Sequence, residues 1–154
     1  DLTTESLKHA PLSLAFCKEV LRLYPSSWWF ARETQVDLTI GGRDLPKGAW
    51  LIVCPWQLHR DDRYWVEPNV LRLDRPFTSK AWIPFGVGSR ACIGMGLAMI
   101  ELQLMTLIFA QTFDLVSSAP LDVAPIAAVT LLPPKISITT EVVAATAPPL
   151  ANAR

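Results

Sequence analysis

Charge is the scarcest ingredient. Only 18% of the 154 residues are Asp, Glu, Lys or Arg, against about 25% for an average soluble domain. The 14 basic and 14 acidic residues cancel, so no net field recommends nucleic acid or an anionic membrane as the principal partner. Histidine occurs only twice, at His9 and His59, and no pair with cysteine has zinc-like spacing. The three cysteines (Cys17, Cys54, Cys92) are odd in number and widely spread, which excludes a disulfide framework and leaves a reducing compartment as the default. Repeats and heptads are absent. The 51% hydrophobic content excludes collagen, a coiled coil and a wholly disordered chain. The length suffices for one domain burying roughly 70% of its unfolded surface. The first residue is Asp1 and no signal peptide is visible; the expectation is a piece of a longer protein, with 154 residues as a lower bound.

The chain opens on a helical pattern over residues 11–24. Pro11 suits the first turn and Pro25 ends it. At 100° per residue, Leu12, Ala15, Phe16, Val20 and Leu23 share an apolar arc, Glu19 falls inside it, and Arg22 sits at its edge beside Lys18. A carboxylate on an apolar face is costly without a partner, and Arg22 at i+3 can reach it. A surface pair contributes almost nothing; the position of Glu19 favours a buried or half-buried one.

From Pro25 to Lys80 the texture changes. Thr34–Ile40 alternates as a strand, Gly41-Gly42 offers a hairpin turn, and Leu45-Pro46-Lys47-Gly48 is a second turn before the apolar strand Trp50–Val53. Residues 59–79 lack a period but hold Asp, Arg, Pro and Trp. Five aromatics (Trp56, Tyr64, Trp65, Phe77, Trp82) are available to pin an ordered meander. Residues 94–112 predict a long helix with one charge, Glu101. About 20 apolar residues would suit a membrane span, but Glu101, Gln103, Gln111, Gly94 and Gly96 favour a core helix buried on most sides. Apolar strands at Val129–Leu132 and Ile136–Thr140 follow, then a disordered Ala/Pro-rich tail.

The densest signal is Phe85-Gly-Val-Gly-Ser-Arg-Ala-Cys-Ile-Gly94, ahead of the long helix. Glycines there permit close backbone approach or positive φ. The helix end and Arg90 favour a thiolate at Cys92, suited to binding a metal. Two readings compete. Gly86-x-Gly88-x-x-Ala91, with Trp82–Phe85 as a strand and Asp114 as a distant acid, fits a dinucleotide fingerprint. Pro84 is awkward at the end of such a strand, and no βαβ alternation surrounds it. The longer pattern Phe85-x-x-Gly88-x-Arg90-x-Cys92-x-Gly94 is far harder to meet by chance.

That decapeptide resembles the cysteine-ligand loop of the cytochrome P450 family at every fixed position. Glu19-Val-Leu-Arg22 is similar to the family's Glu-x-x-Arg helix. His59-Arg60-Asp61, Trp65 and Pro68 resemble the segment leading into its meander. Leu73-Asp74-Arg75-Pro76 stands where the family has Pro-Glu-Arg-Phe, with only the Arg kept. The resemblance runs over roughly residues 2–140. It implies a mainly α fold with small β-sheets (α+β), the proximal C-terminal part of the P450 fold. Residues 1–140 would form the domain portion and 141–154 the tail.

By resemblance, Cys92 would be the axial ligand of the iron of haem b, its electron donation favouring O–O cleavage. Backbone N–H groups after it would moderate the sulfur's charge. Phe85 would pack beside the thiolate, Arg90 and Arg32 would pair haem propionates, and Gly88 and Gly94 would give clearance. Glu19, Arg22 and Arg75 would form a buried triad fixing the meander. Cys17, Cys54 and the methionines are packing residues, His59 is a structural hydrogen-bonder, and the tryptophans are core rather than a platform for bases. The family's distal Ala/Gly-Gly-x-x-Thr segment has no match here.

The implied function is a monooxygenase inserting one atom of O2 into a small lipophilic substrate and reducing the other to water. A ferredoxin, a flavoprotein or a fused reductase would supply electrons near Lys18, Arg72 and Lys80. The chain alone is expected to be inactive. The alternatives are a non-catalytic remnant of such an enzyme and, third, the dinucleotide-binding domain. A cytoplasmic location is favoured, with membrane anchoring left open.

Overall fold

The computed structural model describes residues 5–116, 124–136 and 138–143. After a 3-10 turn at Ser6–His9, α1 runs Pro11–Leu23, with Pro11 in the first turn where its missing N–H costs nothing. Four strands follow: β1 (Phe30–Glu33), β2 (Leu38–Ile40), β3 (Arg43–Leu45) and β4 (Trp50–Val53), then the one-turn helix α2 (Pro55–Leu58). A long meander without strand or α-helix leads to a 3-10 turn at Gly88–Arg90 and the helix α3 (Met95–Thr112). The strands β5 (Phe113–Val116), β6 (Ile126–Ala127), β7 (Leu131–Leu132) and β8 (Thr139–Val142) close the order.

Every sheet among the described residues is a two-stranded antiparallel pair: β1 with β4, β2 with β3, β5 with β8 and β6 with β7. The β2–β3 turn is Gly41-Gly42, both at positive φ (57° and 77°), as the dipeptide predicts. Strand structure does not extend over Thr34–Asp37, because Thr34 is spent on another job. Its buried hydroxyl donates to the Pro46 carbonyl at 2.6 Å and accepts the Ala49 N–H at 2.9 Å, tying β1 to the turn before β4.

The core lies between α1 and the meander, not along α3. Its apolar members are Cys17, Leu21, Leu23, Trp65, Ala81 and Ile83; Glu19, Arg22, His59 and Arg75 are buried among them. Trp65 is the largest fully buried side chain. Burying an indole removes about 200 Å2 from water, roughly 5 kcal/mol, and its Nε1–H is satisfied by the Leu58 carbonyl at 3.1 Å.

Three expectations need correction. The apolar arc assigned to α1 is only partly the buried one, since Leu12 is 69% exposed and Phe16 is exposed, while Cys17 and Leu21 point inward. Only the side of α1 facing the meander and α3 is covered. α3 is apolar all round, and long and apolar enough to cross a membrane, but among the described residues its main packing is against α1, the first 3-10 turn and β5, and Gln103 is its one buried residue. Finally, β7 is shorter than Val129–Leu132, and β8 is shifted C-terminally from 136–140 because Phe113↔Val142 and Val116↔Thr139 fix its register on β5. Glu141 and Val142 thus belong to a strand rather than to the tail, whose residues 144–154 lie outside the described residues.

Candidate functional site: a sulfur-bearing loop on an ion-paired hub

Glu19 and Arg22 lie one turn apart on α1 and are both 0% exposed. Arg22 Nε donates to Glu19 Oε1 at 2.6 Å and Nη2 to Oε2 at 2.9 Å, a bidentate fork. Arg75 Nε reaches Glu19 Oε1 at 2.8 Å as a charge contact, its N–H not aligned for a hydrogen bond. The Arg72 backbone N–H completes the carboxylate at 3.0 Å. Burial alone would raise the Glu19 pKa. The hydrogen bonds from Arg22 and the Arg72 amide, with the Arg22 and Arg75 charges, outweigh it and hold the carboxyl below its ordinary value of 4.5.

The two guanidiniums then organise backbone. Arg22 donates to the carbonyls of His59 (2.8 Å), Pro68 (2.5 Å) and Val70 (3.1 Å). Arg75 donates to those of Val66 (2.6 Å), Glu67 (3.2 Å) and Val70 (3.1 Å). Glu67 takes φ 49°, unusual for a side chain of its size, at the point where these carbonyls turn toward Arg75. A meander without its own ladder thereby finds donors for its buried carbonyls. The sequence places Arg22 and Arg75 3 and 56 positions from Glu19, and the structure brings all three together.

His59 is the second buried node. The Ile83 N–H donates to Nε2 at 2.9 Å, so Nε2 is bare and Nδ1 carries the proton it donates to the Arg22 carbonyl at 3.1 Å. Burial, aided by the Arg22 and Arg60 charges, pushes its pKa down to about 4 against the pull of that carbonyl. From His59 a run of aromatic neighbours leads outward: Trp65, Phe77, Trp82 and Phe85, with successive centroids 5.7–6.3 Å apart. The sequence marks five rings as core pins, and three of them, Trp65, Phe77 and Trp82, form this line, while Trp56 packs against Tyr24 instead; the contact to Phe85 is one that periodicity could not show.

The Cys92 loop sits at its end. The Cys92 N–H donates to the Phe85 carbonyl at 2.8 Å and closes the loop, with inner turns Gly86 N–H to Ile83 (3.0 Å) and Ala91 N–H to Gly88 (3.0 Å). Gly86 and Gly88 take φ of 73° and 75°, which a side chain would strain. A Cβ on Gly94 would lie 3.8 Å from Cys92 Sγ, in ordinary van der Waals contact with the sulfur. Cys92 is exposed, two residues before the Gly94 cap of α3. Trp82–Phe85 is not a strand, and no parallel pair exists among the described residues, which removes the dinucleotide reading.

A concavity of about 370 Å3 brings together Leu21, Phe30, Arg32, Phe85, Arg90 and Cys92. Arg32 lies 4.8 Å over the Phe30 ring, and among the described residues neither Arg32 nor Arg90 has a carboxylate partner. Next to the sulfur, Ile93 is 105% exposed, with Val87 and Leu97 also bare. Gly88 and Gly94 frame the loop without lining this hollow. Of the cations expected at an electron-donor surface, Arg72 is already committed to Glu67 (2.9 Å) and Asp74 (2.8 Å), and Lys18 lies 5.5 Å over Phe77.

This donor set fits a haem. Among the described residues no three His, Cys, Asp or Glu gather to hold a bare ion. A single thiol is a sufficient protein ligand only for a metal that brings its other donors with it. Two unpaired arginines and a bare apolar rim beside that thiol suit a flat apolar group carrying two carboxylates.

Comparison with known proteins agrees. The family model described as Cytochrome P450 matches residues 1–140. The chain is 37% identical over 107 residues to Cytochrome P450 4V2 of Mus musculus, covering 65% of this chain and 20% of that protein. It is 37% identical over 128 residues to Vinorine hydroxylase of Rauvolfia serpentina (76% and 27%), and 38% identical over 131 residues to Flavonoid-6-hydroxylase of Mentha piperita (75% and 25%). The crystal structure of the cytochrome P450DA heme domain superimposes with a TM-score of 0.85 at 25% identity, over 94% of this chain and 34% of that one. The chain thus spans about a fifth to a third of the length of these relatives.

Proposed function

The chain belongs to the cytochrome P450 family, and from that premise we propose that it forms the proximal wall of a haem-thiolate monooxygenase, with Cys92 as the axial ligand. The observation that carries this reading is the shared hollow: one exposed thiol, two arginines without acidic partners and an apolar rim, on a loop braced from behind by buried charge. Arg32 and Arg90 would take the propionates of haem b, as bidentate donors suited to carboxylates. Phe85 would pack along the sulfur, held there by the bond from the Cys92 amide to its carbonyl. Gly86 and Gly88 would let the loop lie close to the ring, and Gly94 would add no side chain beside the sulfur. When bound, the haem iron with its thiolate ligand supplies oxygen activation, one atom going to substrate and the other to water.

The residues behind the loop act by holding it still. Glu19, Arg22 and Arg75 fix the meander, and the aromatic line from Trp65 to Phe85 joins that meander to the loop. Small lipophilic substrates, O2 and an electron-donating ferredoxin or flavoprotein are the partners that go with this chemistry. Because Arg72 is neutralised by two carboxylates, a docking electron donor would depend on Lys18 and Lys80 more than on Arg72. The cytoplasm is the favoured location.

The test is spectroscopic. The haem-loaded protein, reduced under carbon monoxide, is expected to give the red-shifted Soret band of a thiolate complex, and Cys92→Ala to lose that band while Cys54→Ala keeps it. A thiolate-type band surviving in Cys92→Ala would overturn the assignment.

A further inference from the structure

We propose that His59 is a positioning residue for the Cys92 loop: as the Nδ1–H tautomer it clamps the N–H of Ile83, where the loop begins, to the Arg22 carbonyl of α1. This rests on the reading of that loop as the ligand-bearing element. His59 stands 33 residues before Cys92 and reaches the loop through its backbone: His59 Nε2 takes the Ile83 N–H at 2.9 Å. The Ile83 carbonyl in turn takes the Gly86 N–H at 3.0 Å, and the Phe85 carbonyl takes the Cys92 N–H at 2.8 Å. A continuous series of short bonds thus runs from the ion-paired hub to the residue bearing the sulfur.

The clamp is one-directional in its chemistry. Ile83 offers a donor and so requires an acceptor, which imidazole supplies at Nε2 only while neutral. The Arg22 carbonyl requires a donor, which Nδ1–H supplies. The ring is fully buried, with the Trp65 ring edge-on to it at 6.2 Å, so neither group can turn to water instead. A second tether, Trp82 Nε1–H to the Lys18 carbonyl at 3.3 Å, holds the same segment to α1. It lets the fold survive loss of the clamp while the loop loosens.

Glutamine and asparagine separate the two bonds, because Gln Oε1 occupies the place of Nε2 and Asn Nδ2 that of Nδ1. Amide hydrogen exchange on the haem-free 154-residue chain is the measurement. In His59→Asn, protection at Ile83 is expected to fall about tenfold, the effect of one buried hydrogen bond, and protection at Cys92 to fall with it. Tyr24, whose N–H donates to Val20 within α1, should be unchanged. His59→Gln should keep all three. Unchanged protection at Cys92 in His59→Asn, or an equal fall at all three amides, would overturn the proposal.

Should the asparagine variant fail to fold, the wild-type chain supplies the same decision. Imidazole 15N shifts are expected to show the Nδ1–H tautomer at neutral pH, and Ile83 and Cys92 to lose protection together with protonation of His59 on acidification. The charged groups about the ring are Arg22 from α1 and Arg60 from its own segment, with Glu19 and Arg75 joined to it through Arg22. The segment at Ile83 contributes no charge. Ile83 protection that ignores the His59 titration would overturn the proposal. The exchange data need no haem, so they stand apart from the carbon monoxide spectrum that tests the ligand itself.

Discussion

Two halves of this molecule invert the usual arrangement of polar and apolar. Between α1 and the meander, the interior holds two arginines, a glutamate and a histidine, and their charges and hydrogen-bonding groups face partners at short range. Along α3 and β5 the residues are aliphatic and aromatic, yet Leu97, Met105, Ile108, Phe109 and Leu115 are exposed. A cleft of about 770 Å3 opens between Phe16, the Leu102–Ala110 side of α3, and Phe113 and Leu115 of β5. Burial here follows the availability of partners, not hydropathy. The polar half is a finished assembly because its buried groups face partners, Arg75 Nε by its charge contact with Glu19 and the others by hydrogen bonds. An all-round apolar helix, by contrast, is built for contacts on several sides, and these residues supply only some of them.

The largest effect should come from emptying the finished half. Glu19→Ala leaves Arg22 and Arg75 facing each other without their shared anion, and is expected to cost about 3–5 kcal/mol in urea unfolding. The contrast is Glu5→Ala at the exposed Lys8–Glu5 pair, whose side chains are 70% and 71% exposed and whose loss should cost under about 1 kcal/mol. Equal effects at the two sites would mean that the Glu19 hub is not closed to water in solution.

Acid should act on the same half. His59 falls from an ordinary 6.5 to about 4 in the fold, so between those values the unfolded chain binds a proton that the folded chain excludes. Stability is complete above about pH 6.5 and declines as pH drops toward 4, by about 3 kcal/mol in all. Glu19, held below 4.5, adds a further loss as pH falls through its folded value. Urea midpoints measured from pH 7.5 down to 4 should show the decline, and His59→Gln should flatten it. A slope that His59→Gln leaves intact would place the acid sensitivity elsewhere.

The polar half was also the more legible one in sequence. Glu19 stands on the wrong face for a surface carboxylate, with Arg22 within one turn, and those two facts alone point to burial. The Cys92 loop is legible because its glycines, arginine and cysteine serve one local geometry. Arg75, 56 residues from Glu19, entered only through the family resemblance, and its carbonyl partners could not be foreseen because they are backbone atoms. His59 was readable as a hydrogen-bonder but not its partners, since a lone buried histidine carries no spacing. Element edges after Gly94 were read less well. Strand ends there are set by the β5–β8 register, a long-range pairing that alternation in one segment does not encode.

The smallest effect is expected on the open half. Met105 is 68% exposed on α3 and lines the cleft beside Phe109. On a face that the described residues leave open, Met105→Lys removes little buried area and keeps a good helix former, so unfolding should shift by no more than about 0.5 kcal/mol. Solubility should rise as the apolar patch is broken. At Leu21, buried against the hub side of α1, a change to Ala should cost about 2–4 kcal/mol. A Met105→Lys loss approaching that of Leu21→Ala would show that α3 is covered in solution. If that loss grew with protein concentration, second copies of the chain would be the cover.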